Sequence, residues 1–104
     1  MTAGTITLGS SVEDIFNCTT GGIDFGKGGP CTTYILTNND ATNTAYICVD
    51  GLHYVDGNGN PVDYFPLAPG QTIPFRSGLN GISRIRGYAQ AGTPAVSGGI
   101  ESRI

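Results

Sequence analysis

The stretch Thr33–Val49, TYILTNNDATNTAYICV, decides how the rest of this chain is read. Two short runs rich in β-branched and aromatic residues, Thr33–Thr37 and Ala45–Val49, flank the polar cluster Asn38-Asn39-Asp40-Ala41-Thr42-Asn43. Side chains that fit a pleated surface, interrupted by side chains that bond their own backbone, read as a β-hairpin. In the second run Ala45, Ile47 and Val49 share one face, while Tyr46, Cys48 and Asp50 share the other. A lone hairpin is marginal in water, so further strands are expected to cover it.

Composition points the same way. The chain has 104 residues, enough for one domain spanning 1–104. A chain of that size buries roughly 60–70% of its unfolded surface in one thin core. Only 12% of residues are charged, while 17 are Gly and 6 are Pro, a balance suited to strands and tight turns rather than helices. Tyr, Phe, Ile and Val recur throughout, unlike in low-complexity disorder. The net charge of −3, with positive charge confined to Lys27, Arg76, Arg84, Arg86 and Arg103, argues against a nucleic-acid surface. No stretch nears the roughly 20 apolar residues of a membrane span, so a soluble product is expected. Cys18, Cys31 and Cys48 form no CxxC and are expected as reduced thiols. A Cys18–Cys31 bridge would need an oxidising compartment.

Working outward from the central stretch, Thr5–Leu8 alternates as an opening strand, ended by Gly9-Ser10. Ser11–Phe16 carries capping-box spacing but also β-branched and aromatic residues, and strand after a bulge at Gly9-Ser10 is the preferred reading. Gly21–Pro30 is a glycine-rich excursion, long for a compact domain. Leu52–Val55 reads as a short strand, followed by a strong turn at Asp56-Gly57-Asn58-Gly59-Asn60-Pro61. Val62–Phe65 reads as another strand. Pro69-Gly70 has type II turn chemistry. In Gln71–Arg76, Ile73 and Phe75 share a face, and Pro74 places the strand at an edge or a bulge. Ile82–Ala91 and Ala95–Ile100 close the chain, with Glu101–Ile104 extending the last strand or crossing to a neighbour. Seven or eight short strands with turn chemistry between them give an all-β fold, a small antiparallel β-sandwich of jelly-roll type.

Each candidate for chemistry has a plainer explanation. Asp56, Asn58 and Asn60 echo a calcium loop, but Pro61 stands where Gly is needed and no bidentate Glu follows. Turn formation accounts for all three, and no metal is expected. His53 is the only histidine, which excludes paired-imidazole sites, and no nucleophile elbow or cysteine-protease signature surrounds it. The glycine clusters do not open a helix after a strand, so they are not phosphate loops. Neither enzyme activity nor a cofactor is expected. Arg84 and Arg86 share a strand face, where a solvated surface or an interface pair is the ordinary role. The tyrosines Tyr34, Tyr46, Tyr54, Tyr64 and Tyr88 suit a core or a protein interface, and in a lectin-like module would stack on sugars.

Four segments carry a resemblance. They are Thr5–Ser10 (TITLGS), the pair Tyr34–Asn38 (YILTN) and Ala45–Gly51 (AYICVDG), Pro66–Ile73 (PLAPGQTI), and Gly87–Val96 (GYAQAGTPAV). From Thr5 to Ile100 this pattern of strands and turns resembles the small β-sandwich proteins of tailed-bacteriophage virions, including the head decoration, or cement, proteins. Gly21–Pro30 and the cysteines lie outside it.

The resemblance implies a structural protein on the capsid exterior, made in the host cytoplasm, with the major capsid protein as partner. It implies a homo-oligomer, a trimer before a dimer, and neither nucleic acid nor membrane as partner. Arg84, Arg86, Tyr88, Tyr54 and Ile104 are the expected interface residues. Charge reversal at Arg84 or Arg86 is expected to weaken assembly more than folding. The competing reading is a carbohydrate- or receptor-binding sandwich from a phage tail or a secreted module, with a small hydrolase built on His53 behind it.

Overall fold

The computed structural model describes residues 3–19, 21–22, 30–77 and 81–103. Among these residues there is no helix, and the strands are β1 (Ala3–Thr7), β2 (Glu13–Asn17), β3 (Gly21–Gly22), β4 (Cys31–Asn38), β5 (Ala45–Val49), β6 (Phe65–Leu67), β7 (Thr72–Arg76), β8 (Arg84–Tyr88) and β9 (Ala95–Arg103). They form two antiparallel sheets, β1-β9-β4-β7 and β3-β2-β8-β5-β6. The all-β sandwich expected from composition and turn spacing is the fold.

The core is the space between the sheets. Tyr34 and Leu36 of β4, Phe75 of β7, and Val96 and Ile100 of β9 face Ile15 and Phe16 of β2, Ala45, Ile47 and Val49 of β5, Leu67 of β6 and Ile85 of β8. Full burial of each large aliphatic or aromatic side chain contributes roughly 1.5–3 kcal/mol. Rings bridge the layers at two places. Phe16 and Tyr34 lie 5.3 Å apart between centroids. Phe65 meets Phe75 edge-on at 5.7 Å. Adjacent strand residues normally point to opposite faces, yet Ile15 and Phe16 are both buried. A register shift between Asp14 and Phe16 inserts Ile15 as an extra residue and turns both side chains inward.

The structure corrects the reading of the central stretch. β4 and β5 do not pair with each other; β4 lies between β9 and β7, and β5 between β8 and β6. Thr33–Val49 is an arch joining the two sheets. In a hairpin the apolar faces of the two strands would lie side by side, whereas here they oppose each other across the core. The buried Asn38 side chain holds the arch, donating through Nδ2 to the carbonyls of Asn43 (2.9 Å) and Leu67 (3.0 Å) and accepting the Asp40 N–H.

Other expectations are corrected in detail. Leu52–Val55 is not a strand: Gly51 at φ 98° turns the chain, leaving only isolated bridges Asp50–His53 and Val55–Pro61. Val62–Phe65 gives way to β6 at Phe65–Leu67, which accommodates Pro66 because it pairs only with β5. Ser11–Phe16 resolves as strand β2, and its bulge lies at Ile15, not at Gly9-Ser10. The long strand read at Ile82–Ala91 shortens to β8, because the segment before it joins the sheets. Cys31 and Ile82 exchange backbone hydrogen bonds, and the Cys18 N–H donates to the Ser83 carbonyl. These contacts set Cys18 and Cys31 on opposite sides of Ile82-Ser83, and no disulfide joins them. The edge position of β7 and the Pro69-Gly70 turn, with Gly70 at φ 75° and the Gln71 N–H on the Ala68 carbonyl, are as read from the sequence. β9 runs on to Arg103 and pairs it with Cys31, so residues 101–103 extend their own strand. Of the Gly21–Pro30 excursion, 23–29 lie outside the described residues.

Candidate functional site

The second sheet turns its outer face to a hairpin-like excursion, residues 50–64. Because β5 and β8 pair with Tyr46 opposite Tyr88 and Cys48 opposite Arg86, these four side chains share that outer face. Arg84, two residues from Arg86, joins them. Three of the five interface residues expected from the sequence, Arg84, Arg86 and Tyr88, are therefore neighbours on one face.

Their surroundings differ sharply. Arg84 is an ordinary surface pair, its Nε donating to Asp14 Oδ1 at 2.8 Å with both side chains over a third exposed. Arg86 is only 5% exposed. Its Nη2 donates to Asp50 Oδ1 at 2.9 Å and its Nη1 to the Gly59 carbonyl at 2.7 Å. The expectation of a solvated arginine is thus corrected at Arg86, whose charge is used inside its own chain. It fastens the start of the excursion, at Asp50, and its tip, at Gly59, to the sheet. Charge reversal there would bring two carboxylates together in a buried setting, so it strikes folding first.

Tyr64 completes the cover. Its ring meets Tyr88 edge-on at 4.9 Å, while Tyr88 stacks on Tyr46 at 5.4 Å. Burial, reinforced by Cys48 and Tyr88, raises the Tyr64 phenol above its ordinary value. Burial likewise raises the Cys48 thiol, and Asp50 adds to this. A buried, protonated thiol is a poor nucleophile and acts here as a small apolar filler. His53 is half-buried with its ring edge-on to Phe75 at 6.3 Å, and its Nδ1 accepts the Val49 N–H at 2.9 Å. Burial lowers its pKa, with Asp63 opposing. The imidazole is thereby neutral and committed to the backbone.

The tip of the excursion uses its polar groups locally. Asp56 Oδ1 accepts the N–H groups of Asn58 and Asn60, both at 2.9 Å, and the Asp56 carbonyl accepts the Gly59 N–H. The calcium-like spacing is therefore an Asx turn. Among the described residues no three His, Cys, Asp or Glu side chains gather as a metal site.

Beside its polar turn the excursion also exposes large apolar side chains. Tyr54 is 65% exposed, Val62 55% and Leu52 43%, and the Tyr54 carbonyl accepts the N–H groups of Val62 and Asp63. Tyr54 was an expected interface residue. Leu52 and Val62 were read only as strand residues; their flanking of the Asp56–Pro61 turn is the signal that pairs them with Tyr54. Ile104 lies outside the described residues. No family model matches this chain, and no curated protein or solved structure matches it.

Proposed function

We propose that the chain is a non-enzymatic structural protein of a virus particle, a head decoration protein that sits on the outer capsid surface of a tailed phage. The observation that carries this reading is the apolar trio Leu52, Tyr54 and Val62, held out on an excursion braced by the buried Arg86. Large exposed apolar side chains on the flanks of an anchored loop suit the anchor residues of a protein interface, and an ordered loop loses little entropy on docking. The likeness of the Thr5–Ile100 pattern to cement proteins supplies the partner class, the major capsid protein. A symmetric homo-oligomer, a trimer first, would repeat the excursion around an axis and match the repeats of a shell.

The test is gold labelling, with antibody to this protein, of particles purified from a phage lysate, read by electron microscopy. Gold distributed over the heads supports decoration. Gold confined to tail tips, or particles without gold, overturns it.

A further inference from the structure

A shallow pocket of about 200 Å³ lies at the end of β5 from which the apolar excursion does not depart. Thr42, Asn43 and Thr44 of the arch form one wall, Gln90 and Ala91 after β8 form another, and Tyr46 lies between them. We propose that this pocket is a saccharide subsite taking one neutral pyranose unit of a glycan.

Three features carry the assignment. First, the lining has no charged side chain. Asp40 stands behind the arch, but its Oδ2 accepts the N–H groups of Thr42 and Asn43 and the Thr42 hydroxyl. Those bonds hold its carboxyl below the usual range. With no cation to receive an anion and no free carboxylate to receive a cation, the pocket suits an uncharged ligand. Second, threonine hydroxyls and the Asn and Gln amides each donate and accept, as sugar hydroxyls do. Gln90 donates through Nε2 to the Tyr88 hydroxyl at 3.3 Å, leaving its Oε1 as an acceptor. Tyr46 adds an aromatic surface, supported from behind by its stacking on Tyr88, for the C–H face of a pyranose. The volume is below the roughly 300–1,000 Å³ of drug-sized sites, which fits a single ring.

Third, the wall is built rather than incidental. Asn38, fully buried, holds the Asn43 carbonyl, and the Asn43 side chain lies against Gly92, where an added Cβ would overlap its amide. Gly92 has a φ of 68°, so neither space nor backbone there admits a side chain readily. The arch is thus ordered before any ligand arrives, which lowers the entropic cost of binding.

The experiment is a ¹H–¹⁵N titration of the intact chain with the methyl glycosides of glucose, galactose, mannose and N-acetylglucosamine, with methyl glucuronide as the charged comparison. At least one neutral glycoside should shift the amides of Thr42–Tyr46 and Gln90-Ala91 saturably, with millimolar affinity. Ala91→Trp, at an exposed position, fills the pocket and should abolish the shifts while leaving the melting temperature unchanged. Gln90→Ala, also exposed, should weaken binding about tenfold, the equivalent of about 1.4 kcal/mol for one hydrogen bond. Absence of saturable shifts with every glycoside overturns the proposal. Shifts that persist in Ala91→Trp, or methyl glucuronide binding as tightly as the neutral sugars, overturn it as well. The site is independent of the capsid reading: Tyr54→Ser should leave the titration unchanged.

Discussion

At the scale of single residues, the two arginines of β8 show how burial decides the worth of a charge. Arg84–Asp14 is exposed, and Arg84→Ala should cost under about 1 kcal/mol by urea unfolding. Arg86→Ala orphans Asp50 and the Gly59 carbonyl under the excursion, and should cost about 3 kcal/mol or more. Equal losses for the two variants would show that the brace is not structural. Their shared strand face was legible in the sequence as two cations at alternating positions. The partner of Arg86 was not, because Asp50 and Gly59 reach it only when the excursion folds back over the sheet. His53 brings a pH dependence with a definite sign. Its folded pKa is depressed, so above the unfolded value of about 6.5 both states are neutral and stability is at its full value. As pH falls below about 6.5 the unfolded chain takes up a proton that the folded chain resists, and stability declines until the folded imidazole also titrates. His53→Asn, which can keep an acceptor for the Val49 N–H, should flatten this slope. A slope unchanged in the variant would assign it to another group. Asp40, also depressed, acts in a separate window below about pH 4.

At the scale of elements, the arch marks the limit of what a strand pattern conveys. Alternation told which residues of β5 share a face, and the polar cluster told that the chain turns. Neither distinguishes a partner beside a strand from one across the core, since both bury the same face. The deciding information is the buried Asn38, whose two donated bonds reach residues five and 29 positions away. Asn38→Leu should therefore cost about 2 kcal/mol or more through the orphaned carbonyls, although its volume is similar. A loss near zero in thermal unfolding would mean that the arch holds itself. The sugar-sized pocket was hidden for the same reason: Thr42–Thr44 and Gln90-Ala91 meet only because Tyr46 pairs with Tyr88. Glycines in the strands give a sharper comparison. A Cβ on Gly98 of β9 would lie 2.6 Å from the Ile35 carbonyl oxygen, whereas the three atoms nearest to one on Gly87 of β8 are side-chain methyls, the closest at 2.9 Å. Methyl groups can swing aside and a strand carbonyl cannot. Gly98→Ala should lose about 1–3 kcal/mol, and Gly87→Ala less. The reverse order in chemical denaturation would contradict this packing.

At the scale of the whole molecule, two thin sheets share a core, and a braced excursion projects from one of them. The fold class was legible because low charge, abundant glycine and turn pairs such as Pro69-Gly70 act locally and need no knowledge of strand order. Of the excursion's exposed apolar side chains, only Tyr54 was singled out in the sequence as a candidate interface residue. Separating the support of this excursion from its surface gives the last prediction. Arg86 lies under the excursion and Tyr54 on it, so substitutions at the two positions should have opposite signatures. Tyr54→Ser combined with Val62→Ser removes apolar surface that is already in water, so melting should stay within a degree or two of the parent. The same pair removes the anchors of the proposed capsid contact, and sedimentation with phage heads stripped of their decoration should fall at least tenfold. Arg86→Ala should lower melting first and binding only as the excursion loosens. If the serine pair melts normally and still sediments fully with stripped heads, the excursion is not the docking surface. The decoration reading would then have to rest on another part of the sandwich, with the part-exposed pair Arg84 and Asp14 on β8 and β2 the next positions to reverse in charge.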